Sequence, residues 1–200
     1  MNLQTAHSSK PRVAVHKFSS CDGCQLSFLN LGEALLTLAE RIDLVHFAEA
    51  GPLDPDTGVD VAFVEGSVST PEDLERIQRI RAHSGLLIAI GACATSGGIQ
   101  GLRNQAKDAE WVAQIYSHPE AIASLERSTP ISSHVKVDFE LWGCPVSGPQ
   151  MLAVINALLL GVTPRDNVDK VCTECKRQGY PCVMVTHGIA CMGPVTRAGC

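Results

Sequence analysis

The sequence predicts an α/β fold: an open, mostly parallel sheet with helices on both faces, followed by an irregular Cys-rich tail. Three observations predict it. Strand-like and helix-like periods alternate along the first 160 residues. The run Leu86-Leu87-Ile88-Ala89-Ile90 is apolar without a break, as in a strand covered on both faces. Beyond Gly161 the periodicity stops and Cys, Gly and Pro take over.

The elements follow in order. Arg12 to Phe18 alternates β-branched residues with others and stops at Ser-Ser-Cys-Asp-Gly, which reads as a strand and a turn. Leu26, Leu29, Leu31, Leu35, Leu36 and Leu38 then give one amphipathic helix to about Arg41, before a strand at Asp43–Ala48. The loop Gly51-Pro52-Leu53-Asp54-Pro55 leads to a third strand, Val59–Val64. Thr70 with Pro71 behind it reads as the N-cap and first residue of a helix. The apolar run at 86–90 ends in Gly91-Ala92-Cys93; Gly97–Arg103 is Gly-rich and loop-like, and Asp108–Arg127 suits short helices. Val135–Leu141 is a last strand, ending at Gly143-Cys144-Pro145, and a helix from about Pro149 to Leu160 closes the βα series. Strand and helix in this alternation build a flavodoxin-like sheet. The domain boundaries expected are a disordered N-terminus over 1–10, the sheet domain over 11–162, and a Cys-rich unit over 163–200, which lacks the periodicity to build a core and needs another staple.

Composition excludes several classes. The formal charge is −5 with no basic block, so the footprint of a nucleic-acid binder is missing. No apolar run reaches the ~18–20 residues of a membrane span. The start of the chain shows neither an apolar stretch after a basic patch nor a twin-arginine pair, which argues for a cytoplasmic location. In such a compartment nine cysteines stay reduced, so metal ligation or redox chemistry outranks a disulfide framework. His16, His46, His83, His118, His134 and His187 lack mutual ligand spacing and read as core or surface residues.

In open parallel sheets the functional crevice lies beyond the carboxyl ends of the strands. Cys21 and Cys24 follow the first strand, Cys93 the fourth and Cys144 the fifth, so all four converge on one edge; Glu65 and Ser67, after the third, border it as partner contacts or as turn and cap residues. Four such thiolates suit either a tetrahedral zinc or a 4Fe-4S cluster. The glycine or proline beside each cysteine favours the cluster, because it gives room and lets backbone N–H groups approach the inorganic sulfides. Trp142, beside Cys144, reads as a core aromatic or as a cover for the cluster. In the tail, Cys172, Cys175, Cys182 and Cys191 form a second set of four, for which spacing leaves iron–sulfur and zinc evenly matched.

Cys21-Asp22-Gly23-Cys24, Val64-Glu65-Gly66, Ile90-Gly91-Ala92-Cys93-Ala94 and Gly143-Cys144-Pro145 resemble, in order, the proximal-cluster motifs of the small subunits of nickel-iron hydrogenases. The segment Cys191–Cys200 resembles the stretch joining that family's distal and medial clusters. The resemblance implies a proximal 4Fe-4S cluster on Cys21, Cys24, Cys93 and Cys144, and a distal one on Cys172, Cys175, Cys182 and Cys191. Cys200 becomes the first medial ligand, the third cluster needing ligands further along, so that the chain reads as truncated. It implies a nickel-iron large subunit as partner and a flavin/iron–sulfur diaphorase pair that reduces NADP or NAD. Many members carry histidine where this chain has Cys172, which points to the cytoplasmic, cofactor-coupled branches; the tail resembles that of the NADP-linked sulfhydrogenases, with deazaflavin-reducing and NAD-linked relatives as alternatives. The related quinone-reductase subunit has adjacent cysteines instead of Cys-x2-Cys. No Gly-x-Gly-x-x-Gly fingerprint follows a strand, so nicotinamide is expected on another subunit. The competing readings are a free-standing ferredoxin-like carrier, a quinone-reductase-like subunit and a zinc-stapled module.

Overall fold

The computed structural model describes residues 10–51, 54–165 and 169–197. Five parallel strands, β1 (Arg12–Lys17), β2 (Asp43–Phe47), β3 (Val59–Glu65), β4 (Ser84–Ile90) and β5 (Phe139–Leu141), form one sheet in the order β2-β1-β3-β4-β5. The fold is the one predicted. The long central strands bury both faces because side chains one residue apart point to opposite sides. Val61, Phe63, Ile88 and Ile90 join one core cluster with Phe28, Leu38, Met151 and Val154, while Ala62, Val64, Leu87 and Ala89 join another with Ile77, Ile80 and Ile131.

The first core is closed by α1 (Gly23–Leu29), α2 (Glu33–Ala39) and α6 (Gly148–Leu159), the second by α3 (Pro71–Ala82) and α4 (Gly91–Ser96). α3 begins as predicted: Thr70 Oγ1 accepts from the Asp73 N–H, Asp73 Oδ2 accepts from the Thr70 N–H, and Pro71 fills the first helical position.

Three expectations are corrected. The helix expected to run unbroken to Arg41 is split into α1 and α2 at Asn30–Gly32, where Gly32 takes a φ of 59°. α6 crosses closely there: a Cβ on Gly148 would stand 2.9 Å from a Leu31 methyl. The Gly-rich stretch after Gly97 is not a plain loop but holds a 3-10 helix, Ile99–Gln105. The last strand begins at Phe139 rather than Val135. Val135 still donates to Ile131 O in the turn before it, and pairing with β4 starts only where the Asp138 N–H donates to Leu87 O. Asp138 fixes that start, since its carboxylate accepts from the Leu87 N–H and from Arg81 at 2.6 Å.

Lys10, counted with the disordered N-terminus in the sequence reading, is described and its Nζ donates to Ala39 O; residues 1–9 lie outside the described residues. The tail is not wholly irregular: α7 (Val171–Arg177) and α8 (Val183–His187) punctuate it, with α5 (Asp108–Ile115) the remaining helix before it. Among the described residues no helix is long and apolar enough to cross a membrane.

His16 of β1 and His46 of β2 stack with ring centroids 4.6 Å apart, both buried. Burial, then His46 and Arg76, hold the His16 pKa down at about 3, and burial lowers His46 as well. Unfolded histidine titrates near 6.5, so the folded chain resists protonation that the unfolded chain accepts. The stability contributed is present above pH ~6.5 and is lost as pH falls towards 3, by up to about 1.4 kcal/mol per unit from His16. Urea midpoints measured from pH 7.5 down to 4.5 should show that slope, and His16→Leu should flatten it; an unchanged slope would reject the assignment.

Candidate functional site

The carboxyl edge of the sheet gathers the predicted residues. Cys21 precedes α1 and Cys24 lies in its first turn, Cys93 sits in α4 directly after β4, and Cys144 follows β5. The backbones interlock: the Ala92 N–H donates to Gly143 O at 2.7 Å, and a Cβ on Gly23 would stand 3.4 Å from both Cys21 Sγ and Pro145 Cβ. A Cβ on Gly91 would collide with Cys24 Sγ, and one on Gly98 would stand 2.7 Å from Cys93 Sγ. Glycine backbone therefore lines the thiols on several sides, leaving space that any larger residue would fill.

Electrostatics link the same four groups. Burial pushes the Cys24 thiol up to about 12, against a backbone hydrogen bond at Val146, and the charges of Glu65 and Cys93 push the same way. Burial also raises Cys93, which Cys144, Cys21 and Glu65 raise further, while the Gln100 side chain opposes them by hydrogen bonding. Cys24 is 6% exposed, Cys93 is half-buried, and Cys21 and Cys144 face solvent. Among the described residues no three His, Cys, Asp or Glu side chains close on one point as a single ion requires. The donor chemistry of four soft thiols, three of them beside glycine backbone, fits a thiolate-bound cluster.

Glu65 and Ser67 are not presented to a partner. Glu65 is 2% exposed, its Oε1 accepting from the Cys24 N–H at 3.0 Å and its Oε2 from the Gln25 N–H at 3.2 Å, so of the two roles expected it fills the cap. Burial pushes its carboxyl pKa up, and those N–H groups pull it back. Ser67, fully buried, donates from Oγ to Ser19 O and shares hydroxyl bonds with Ser69 and Ser128.

Two supports escaped the sequence reading. Asp22, between the paired cysteines, has a φ of 65°, and its carboxylate is held by Lys17 Nζ at 2.7 Å and by Ser20 Oγ at 2.9 Å. Lys17 also binds Glu49 at 2.8 Å, and these two carboxylates raise its pKa. Gln100 donates to Ser19 O at 3.0 Å, tying the loop after Cys93 to the one before Cys21. Asp22 was visible as a polar residue in a tight turn; no pattern marks Gln100.

In the tail, Cys172 and Cys175 lie on α7, Cys182 caps α8, and Cys191 follows it. The structure brings two of them onto one glycine: Cys172 Sγ and Cys191 Sγ each stand 3.4 Å from where a Gly193 Cβ would be, and the Gly193 N–H donates to Cys191 Sγ. Cys175 and Cys182 are exposed, and Cys200 lies outside the described residues.

Gly91→Ala tests the cradle. Its φ of +82° costs an alanine about 1–3 kcal/mol of backbone strain, and the new methyl displaces Cys24 besides. Gly161→Ala, at φ +68° with nothing within 4 Å, carries strain alone. Gly91→Ala should lose both melting temperature and bound iron, and Gly161→Ala melting temperature only; equal iron content would remove the cradle from the argument.

A parallel α/β sheet with four cysteines at its carboxyl edge defines the class as an open-sheet protein with a soft-donor site. The chain belongs to the NADH ubiquinone oxidoreductase 20 kDa subunit family, whose model matches residues 21–158. It is 35% identical to the sulfhydrogenase 2 subunit delta of Pyrococcus furiosus, over 94% of this chain and 79% of that one. It is 29% identical to the NAD-reducing hydrogenase HoxS subunit delta of Cupriavidus necator, over 80% of this chain and 83% of that one. A crystal structure of NAD+-reducing [NiFe]-hydrogenase in the H2-reduced state superposes with a TM-score of 0.72 at 29% identity, covering 78% of this chain and 94% of its own. Within the family the chain is of the hydrogenase small-subunit type.

Proposed function

We propose that this chain is the electron-transfer small subunit of a nickel-iron hydrogenase. Cys21, Cys24, Cys93 and Cys144 hold a proximal 4Fe-4S cluster beside the nickel-iron centre of a separate large subunit. Cys172, Cys175, Cys182 and Cys191, in a unit beginning near residue 163, hold a distal one, and Cys200 is the first ligand of a medial cluster. Electrons pass between the large subunit and a flavin/iron–sulfur module that reduces a nicotinamide. The observation that carries this reading is the arrival of Cys21, Cys24, Cys93 and Cys144 from three strand ends at one sheet edge, the first three with glycine backbone beside their Sγ.

A 4Fe-4S cluster supplies reversible one-electron chemistry when bound. The chain supplies the rest. Cys24 and Cys93, raised by burial, are protonated as free thiols and release protons on ligation. Glu65 fixes the start of α1, and with it the direction of Cys24. Lys17 and Asp22 hold the turn between Cys21 and Cys24.

The test is elemental analysis of the complex purified from its native source. Co-purification with a nickel-bearing subunit, and at least about eight irons with matching sulfide on this chain, are expected. Stoichiometric zinc without iron would overturn the cluster assignment, and iron without any nickel-bearing partner would turn the chain into a free-standing carrier.

A further inference from the structure

Trp142 neither fills the core nor stands free. It is half-buried, immediately after β5 and two residues before Cys144, and its indole Nε1–H donates to Glu140 Oε2 at 3.2 Å. The guanidinium carbon of Arg197 lies 4.1 Å from the centre of its ring, a cation–π stack. Arg197 comes from the tail, where it pairs in an antiparallel bridge with Lys170, two residues before Cys172. The Val171 N–H donates to Thr196 O at 3.0 Å in the same pairing. The two ends of the Cys-rich unit are thus zipped together beside the Cys172–Gly193–Cys191 contact, and one of them is laid on the strand that delivers Cys144.

Among the described residues the tail carries hydrogen bonds of its own: Thr173 to Lys170, Tyr180 to Cys175, Ile189 to Val183 and Val195 to Met192. Arg177 pairs internally with Asp169 as well. The Arg197–Trp142 stack crosses from that unit to the sheet. A short, weakly cored segment with its own internal bonding needs an external anchor to keep a fixed separation from its neighbour. An electron relay depends on that separation.

We propose that the Arg197–Trp142 stack is the clasp that seats the Cys-rich tail on the sheet and fixes the spacing of the two cysteine sets. Both are positioning residues for electron transfer, a role that rests on the reading of this chain as a redox relay. Glu140 fixes the ring plane, Arg197 covers it, and the Lys170–Arg197 bridge transmits the position to Cys172. Arginine suits the task better than lysine, because its flat guanidinium stacks on an indole face.

The experiment uses the full chain in its complex, with Trp142→Ala, Arg197→Ala, the double variant and the conservative Trp142→Phe. Loss of the stack should raise the undocked-to-docked ratio of the tail roughly 5–30-fold, read as faster hydrogen exchange of the 170–197 amides against unchanged exchange in β3 and β4. The double variant should match either single one, and Trp142→Phe should recover part of the protection. Iron content should hold while magnetic coupling between the two reduced clusters weakens. Additive effects of the two alanine variants, or unaltered exchange in both, would overturn the clasp. A wild-type complex without iron would instead overturn the relay reading, and the exchange data would still judge the clasp.

Discussion

Cys144→Ser and Cys24→Ser are expected to abolish hydrogen-dependent reduction of acceptors downstream of this chain while the hydrogen-splitting subunit still exchanges isotopes. A serine hydroxyl is a harder and far less acidic ligand than a thiol, so a soft iron–sulfur site loses one of its four anchors. The pair separates ligation from folding. Cys24 is 6% exposed and packs in the core, so its substitution disturbs both; Cys144 faces solvent, and its substitution leaves packing untouched. Equal loss of electron transfer in the two, with a normal melting curve for Cys144→Ser, is the expected outcome. If either variant kept full transfer and an unchanged cluster spectrum, that cysteine would not be a ligand.

Much of this architecture was readable because two periodicities dominate the sequence. The buried strand at 86–90 declared itself by an unbroken apolar run, and the start of α3 by Thr70-Pro71. The cysteines could be placed on one edge because each follows a strand, a rule of topology needing no side-chain detail. What failed to show was decided by tertiary contact. Leucine spacing runs straight through Asn30–Gly32, yet α6 crosses there so closely that Gly148 meets Leu31, and the helix breaks. Val135 and Val137 alternate like a strand but spend their burial on the α3 side of the core, while Asp138 sets the true start of pairing.

The supports of the site were less legible than its ligands for a related reason. A ligand must be cysteine, and its type and spacing are in the sequence. A support need only place a donor or acceptor at the right point, and many residue types at many distances along the chain suffice. Lys17 reaches Asp22 from five residues away, Gln100 reaches Ser19 from 81, and Arg197 reaches Trp142 from the far end of the chain. Glu65 lay between the two cases. Its position after β3 was informative, but whether its carboxylate turned outward or inward was settled only by the entry of α1 across the strand end.

Glu65→Ala is expected to be the most damaging substitution outside the cysteines. The carboxylate satisfies two buried N–H groups at the start of α1, those of Cys24 and Gln25, and each left unpaired costs about 1–3 kcal/mol, or roughly 2–6 kcal/mol together. Relief of the carboxylate's own burial, which pushes its pKa up, offsets part of that. Glu65→Gln separates the two contributions. The amide oxygen still accepts from one N–H, but its NH2 opposes the other, so one hydrogen bond is restored and the charge is gone. Stability by chemical denaturation should therefore rank wild type first, Glu65→Gln second and Glu65→Ala last, with bound iron following the same order because Cys24 moves with the turn that Glu65 holds. Should Glu65→Ala retain wild-type iron and melting temperature, the carboxylate would have no part in placing Cys24, and the site would owe its geometry to Lys17, Asp22 and the glycine cradle alone.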